Sequence, residues 1–175
     1  MHTCIVIFSL LCSYLTPFAL AQTERPSPPA QAQCKFPDGK AVTVDYSSPR
    51  MKGRKIFGGL VPYGQVWRTG ANEATKFVAT TNLIVGGKNV PAGNYTIFTI
   101  PGLDKWTLII NKKTGEWGIP YKYESDELTR VDLTLLPISS PVENFTISFD
   151  QGRGGCVLKM RWDTVDASVL VVETK

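Results

Sequence analysis

The sequence predicts an all-β fold: a single antiparallel domain of the β-sandwich or jelly-roll-like kind. Short runs in which apolar and polar side chains alternate with a period of two dominate the chain after residue 34. Residues that favour turns, mostly Gly, Pro and Asn, separate these runs at close spacing, as is typical of sandwiches and jelly rolls. Helix is expected at most as a short helical turn near residues 121–130.

The predicted strands follow one another from residue 41 to the end of the chain. In AVTVDY the alternation places Val42, Val44 and Tyr46 on one face. Further strands are predicted within the ranges 75–81, 82–102, 105–118, 143–150, 156–162 and 167–173. Near the C-terminus the same alternation predicts a row of buried side chains, formed by Phe145, Ile147, Phe149, Leu158, Met160 and Trp162.

The N-terminus has the features of a secretory signal peptide. Residues 4–21 are uncharged and largely apolar, and they end in the small-x-small sequence ALA, which predicts cleavage after Ala21. The alternative is a permanent membrane anchor, because an apolar run of about 18 residues can just span a bilayer. Pro17 and the lack of flanking basic residues favour cleavage. We therefore expect an exported protein, periplasmic or extracellular, with no stable membrane span after removal of residues 1–21.

The remaining chain divides into a tether and one domain. Residues 22–33 are rich in Pro, Ser and Gln and have few apolar side chains, a composition that predicts a disordered tether. Residues 34–175 are long enough for one domain with a sizeable core. The net charge of +4 is too small and too scattered to indicate binding to nucleic acid. Nothing in the sequence indicates the oligomeric state.

Two cysteines follow the signal peptide, Cys34 and Cys156. An even number of cysteines in an exported chain favours a disulfide bond between them. Such a bond requires Cα atoms within about 7 Å of each other. The alternative is a pair of buried free thiols.

The sequence after the signal peptide contains no histidine, because the only one in the chain is His2. This excludes a Ser-His-Asp triad, a Cys-His pair and a His-ligated zinc site. Catalysis would have to use carboxylates, lysine, tyrosine or a Ser-Lys pair. No recognisable catalytic motif is present, so we expect no catalytic residue, no metal and no other cofactor.

The stretch VWRTGANEAT (66–75) concentrates polar and aromatic side chains that could bind a ligand. The candidates are Trp67, Arg68, Thr69, Asn72 and Glu73. Arg68 offers a planar fork for a carboxylate or phosphate, and Asn72 and Glu73 add hydrogen-bonding groups. In the alternative interpretation Arg68 pairs with Glu73 and Asn72 caps a turn, so that the cluster only fixes a corner of the fold. The sequence supports both interpretations equally.

The loop SSPRMKGRK (47–55) is a second candidate, because it could contact anions such as phosphate, sulfate or acidic sugars. Its cationic side chains are Arg50, Lys52, Arg54 and Lys55. The alternative, a solvated surface loop, is the commoner origin of a short basic run.

Tryptophans could add stacking surface for a sugar. The strand pattern predicts that Trp106 and Trp162 belong to the core. Trp117 lies in a turn and is expected to be partly exposed, with Tyr121 and Tyr123 close behind it as an aromatic rim.

Four stretches match known signatures in order and spacing: VTVDYSSPRMKGRKIFGGLVPYGQVWRTGANEAT, VGGKNVPAGNYTIFTIPG, WTLIINKKTGEWG and VENFTISFD. Together they resemble the successive blocks of the bacterial family called domain of unknown function 2911, over most of residues 42–150. Cys34 and the residues from 156 onward also resemble the cysteine-bearing exported members. The resemblance implies a bacterial, usually exported, β-rich domain, and it assigns no reaction, ligand or catalytic residue.

These observations favour an exported envelope protein that acts as a non-catalytic binding module for a small polar or glycan ligand. The first alternative is a carboxylate-based hydrolase acting on glycans, with Asp45 and Glu73 as the first pair to test. Such enzymes need two carboxyl groups roughly 5 to 10 Å apart across a cleft. The second alternative is a purely structural envelope protein.

Overall fold

A computed structural model describes residues 25–152 and 154–174, so the predicted signal peptide lies outside the described residues. The strands are β1 Pro29–Lys35, β2 Ala41–Ser47, β3 Thr75–Ala79, β4 Leu83–Val85, β5 Lys88–Val90, β6 Gly93–Ile100, β7 Trp106–Asn111, β8 Glu127–Gly152 and β9 Gly155–Glu173. Helix among the described residues is limited to one 3-10 turn, Glu124–Asp126, inside the range predicted for a helical turn. No helix in this part of the chain is long and apolar enough to cross a membrane.

The strands form one antiparallel sheet in the order β1-β2-β3-β6-β7-β8-β9-β4-β5. The long strand β8 connects its two halves, since its first residues pair with β7 and the rest pair with β9. Register shifts on either side of Val142 mark irregular pairing within β8, and such bulges bend a strand. The predicted all-β antiparallel fold is confirmed, while its sandwich or jelly-roll form stays a prediction.

One large apolar cluster takes side chains from both halves of the sheet. The predicted row of core residues is confirmed for Phe145, Ile147, Leu158, Met160 and Trp162. Trp106 is also buried, as predicted. Phe149 differs: it is only partly buried, because it lies near the exposed tip of the β8–β9 hairpin, opposite Leu158.

Part of the predicted tether, residues 29–33, belongs to strand β1. Residues 29–33 pair with β2 instead of remaining disordered, with Ala32 facing the core and Gln31 and Gln33 facing solvent. Alanine is depleted in strands, so the composition of this segment did not indicate a strand. The residues just before β1 also contact the domain, since the Ser48 amide donates a hydrogen bond to the carbonyl of Pro28 (2.9 Å).

The disulfide bond between Cys34 and Cys156 is present, with the Cα atoms 6.4 Å apart, as predicted. Cys34 lies in β1 and Cys156 at the start of β9, and both side chains are buried. The bond therefore joins the first strand to the C-terminal hairpin.

Candidate functional site

The corner that contains the 66–75 stretch is fixed to β6 by its backbone. Trp67 and Thr99 exchange two backbone hydrogen bonds of 2.8 and 2.9 Å. Thr69 is fully buried at a positive φ of 54°, and its hydroxyl lies 3.1 Å from that of Thr99. The Thr75 hydroxyl donates to the Thr69 carbonyl at 2.8 Å. Thr69, proposed from sequence as a ligand contact, is thus a structural residue of the corner.

The Trp67 side chain is half-buried and belongs to an aromatic cluster. Its ring stacks on that of Trp162 with the centroids 5.7 Å apart, and it packs edge-on against Phe145 at 4.9 Å. Its indole N–H donates to the Gly70 carbonyl at 3.0 Å, which satisfies the ring's polar atom. Trp67 therefore joins the core to the surface at this corner.

Arg68 does not pair with Glu73, which corrects one predicted interaction. The Arg68 guanidinium lies over the Trp117 ring, 4.9 Å from its centroid, and its Nη1 donates to the carbonyl of Asn72. Glu73 instead faces Arg25 at 3.6 Å, in a pair whose side chains are both more than half exposed. Partial burial lowers the pKa of Arg68 below its usual value, although a guanidinium remains charged in proteins.

Asn72 holds the N-terminal segment against the corner. Its backbone has a left-handed φ of 58°, a conformation that asparagine tolerates better than most residues. Its side-chain amide donates to the Ser27 carbonyl at 3.2 Å. The predicted turn-forming role of Asn72 is consistent with this geometry, and the side chain has an additional partner that the sequence pattern did not indicate.

An open cleft of about 470 Å³ lies beside this corner. We call it the tryptophan cleft; its lining residues are Ser27, Pro49, Arg54, Leu60, Val61, Pro62, Gln65, Val66, Trp67, Arg68, Gly70, Ala71, Asn72, Trp117, Ile119 and Trp162. Trp117 is 56% exposed, as the sequence predicted, and Leu60 is 47% exposed. The cleft combines aromatic and aliphatic surface with a few polar groups, the usual composition of a small-molecule site.

Gly118 lets the loop that carries Trp117 approach the corner closely. Its φ is +92°, and a Cβ atom there would lie 2.9 Å from the Cβ of Ala74 and 3.1 Å from a ring carbon of Phe98. The Ala74 amide also donates to the carbonyl of Glu116 at 3.2 Å. Only glycine fits this position without a shift of its neighbours. The sequence did not predict the Arg68–Trp117 contact. Gly118, next to Trp117, is the local feature that could have indicated a close approach of this loop to another part of the chain.

Two arginines of the basic loop (47–55) donate hydrogen bonds to other groups of the same loop. Arg50 Nη1 donates to the Ser48 carbonyl at 2.8 Å and to its hydroxyl at 2.7 Å. Arg54 donates from Nη2 to the Arg50 carbonyl at 2.6 Å and from Nε to the Met51 carbonyl at 3.0 Å. Of the four predicted anion contacts, only Arg54 lines the tryptophan cleft.

Lys52 and Lys55, the other two cations of this loop, are exposed and do not line the cleft. The backbone amide of Lys52 donates to a carboxylate oxygen of Glu143 at 2.9 Å, which anchors the loop to β8. The two candidate stretches, residues 47–55 and 66–75, therefore meet at the tryptophan cleft, where Arg54 is the cationic side chain from the first stretch.

Asp45 and Glu73 line a separate depression of about 300 Å³, together with Arg25 and Lys76. Asp45 accepts a hydrogen bond of 2.7 Å from the side chain of Gln31. Both carboxylates of the predicted hydrolase pair thus share a surface, outside the tryptophan cleft. In residues 25–152 and 154–174, no group of three or more His, Cys, Asp or Glu side chains is placed to hold a metal ion.

The predicted aromatic rim of Tyr121 and Tyr123 packs on Phe98. The Tyr121 hydroxyl donates to Glu127 at 2.7 Å, and burial and this carboxylate raise the pKa of Tyr121 far above its usual value. Two hydrogen bonds from Arg130 lower the pKa of Glu127. These tyrosines support the loop structurally and do not line the cleft.

Comparison with known proteins adds a family and no function. No curated protein and no solved structure matches the chain. One family model, described as a protein of unknown function (DUF2911), matches residues 27–171. That range includes the corner, the cleft, strands β1 to β8 and most of β9. The chain therefore belongs to the DUF2911 family of proteins of unknown function.

Proposed function

We propose that this domain is an exported, non-catalytic binding module that holds a small polar or glycan ligand in the tryptophan cleft. The observation that carries the proposal is the half-exposed Trp117 ring at the rim of an open cleft whose inner wall is formed by Trp67 and Trp162. An exposed aromatic ring presents a flat apolar face, and the apolar face of a sugar ring can stack on such a surface. The cleft volume falls within the roughly 300–1,000 Å³ that small-molecule sites occupy.

The chemistry of the lining favours binding over hydrolysis. Among the described residues, those that line the cleft include no carboxylate and no imidazole, the groups most often used to move a proton. The carboxylates of the alternative hydrolase, Asp45 and Glu73, line the other depression, where each has a polar partner. A purely structural role does not account for two large apolar side chains, Trp117 and Leu60, that are exposed beside an open cleft.

Two features support export. The predicted signal peptide would direct the chain out of the cytoplasm, to the periplasm or the exterior. The Cys34–Cys156 disulfide bond requires an oxidising compartment to persist.

A binding screen tests the proposal. Residues 22–175 are titrated with mono- and oligosaccharides and small polar metabolites while tryptophan fluorescence and calorimetry are recorded. We expect at least one saccharide to bind, and Trp117→Ala to weaken that binding by about tenfold or more, because the stacking surface is lost. The free energy of unfolding should change little, since the Trp117 side chain is mostly exposed.

Leu170→Ala is the matched control, because Leu170 is 51% exposed and does not line the cleft. This variant should bind like the unaltered protein. A saccharide that binds equally well to Trp117→Ala would move the site elsewhere. If no compound in the screen binds, the proposed function is wrong.

A further inference from the structure

Resting on the proposed binding function, we infer that the tryptophan cleft selects acidic saccharides, in which a carboxylate is attached to a sugar ring. The inference depends on the charges that line the cleft. Two arginines, Arg54 and Arg68, belong to its lining, and no Asp or Glu among the described residues does. A cleft with cations and no lining anion attracts a negatively charged ligand.

Arg68 has hydrogen-bonding capacity to spare. Within the part of the chain that the structure describes, its Nη1 donates to the Asn72 carbonyl, and Nε and Nη2 have no acceptor. Its charge has no carboxylate partner there, because Glu73 pairs with Arg25 instead. A planar guanidinium with free N–H groups binds a carboxylate through two parallel hydrogen bonds.

Arg54, the second arginine of the lining, is held in place by its own loop. Its Nε and Nη2 are fixed by the backbone carbonyls of Met51 and Arg50, while Nη1 has no acceptor among residues 25–152 and 154–174. These two hydrogen bonds hold the guanidinium of an otherwise long and flexible side chain in place. The ordering of this cation therefore precedes ligand binding, which reduces the entropy lost on binding.

The rest of the lining fits the body of such a ligand. Leu60, Val66 and Ile119 provide aliphatic surface, and Trp117 provides an aromatic ring partly covered on one face by Arg68. Gln65 and Asn72 add side-chain amides that can bond to hydroxyl groups. A free inorganic anion would use the guanidinium groups alone, whereas a uronic acid would use the cations, the apolar surface and the amides together.

The test compares acids with their uncharged esters. Glucuronic acid, galacturonic acid and short galacturonate oligomers are each titrated beside the corresponding methyl esters, which keep the ring and remove the charge. We expect at least one acid to bind about tenfold or more tightly than its ester, as is usual when a charge-assisted hydrogen-bonded pair is lost. Arg54→Gln and Arg68→Gln should each weaken binding of the acid by about five- to tenfold, and should weaken binding of the ester clearly less, so that the preference for the acid over its ester falls.

Lys52→Gln is the matched control, since it removes the same charge from the same loop outside the cleft. Thermal melts confirm that each variant is folded before it is titrated. Esters or neutral sugars that bind as tightly as the acids would overturn the inference and leave the proposed function standing. Binding of phosphate or sulfate as tight as that of the sugar acids would also overturn it. The absence of any saccharide binding would contradict both.

Discussion

Loss of the Cys34–Cys156 disulfide bond should lower the free energy of unfolding by about 2 to 5 kcal/mol. The two cysteines are 122 residues apart, so the bond closes a loop through most of the domain and restricts the unfolded chain strongly. Both side chains are almost fully buried, at 1% and 2% exposure, and they join β1 to the β8–β9 hairpin. Urea unfolding of the oxidised protein and of a Cys34→Ala/Cys156→Ala double variant measures the difference.

A reducing agent distinguishes the bond from the packing of the cysteine side chains. It should destabilise the unaltered protein and have no effect on the double variant. Thiol labelling of the native oxidised protein should give no product from either cysteine. Equal stability of the two proteins, or labelling of both thiols before reduction, would contradict the role given to the bond.

Trp162→Ala should destabilise the domain by about 3 to 5 kcal/mol, the usual cost of removing a large aromatic side chain from a core. Trp162 is 1% exposed and stacks on Trp67, with Phe57 and Phe145 packed against it. Its indole N–H also donates to the Glu143 carbonyl at 3.2 Å. The substitution would remove part of the cleft wall and the ring on which Trp67 stacks.

Trp162→Phe should cost clearly less, because it keeps an aromatic ring in the same space and loses mainly the hydrogen bond. Denaturant unfolding measures both variants. Trp117→Ala serves as the comparison for an exposed tryptophan and should lose far less stability than Trp162→Ala. Similar losses for the two alanine variants would contradict the assignment of Trp162 to the core and Trp117 to the surface.

The strands could be predicted because their signal is local. A period of two in residues 41–46 and 156–162 directly reports which side chains face the core, and both runs have the predicted pattern. The short 3-10 turn at 124–126 also lies within the range predicted for a helical turn, residues 121–130. Strand β1 escaped prediction because its inward residues at the start, Ala30 and Ala32, are too small to give a clear apolar alternation.

The site could be predicted only in part, since its contacts join distant parts of the chain. The sequence drew attention to Trp67, Arg68 and Asn72, and all three line the cleft. It could not show that Arg68 meets Trp117, almost fifty residues later, or that Arg54 lies at the same cleft. The Arg68–Glu73 pair of the alternative interpretation followed from their closeness in sequence, but Glu73 faces Arg25 instead.

The central claim is that Arg68, with Trp67 and Asn72, lines a binding cleft and is not a buried structural arginine. The unfolding free energy of Arg68→Lys tests it most directly, because lysine keeps the charge and loses the planar fork. We expect a loss of about 1 kcal/mol or less, since Arg68 has one hydrogen bond to a carbonyl and an exposed aromatic neighbour. Glu73→Gln, which disrupts only an exposed pair, should change stability even less. A loss of several kcal/mol in Arg68→Lys would instead show a buried structural arginine and would contradict the account.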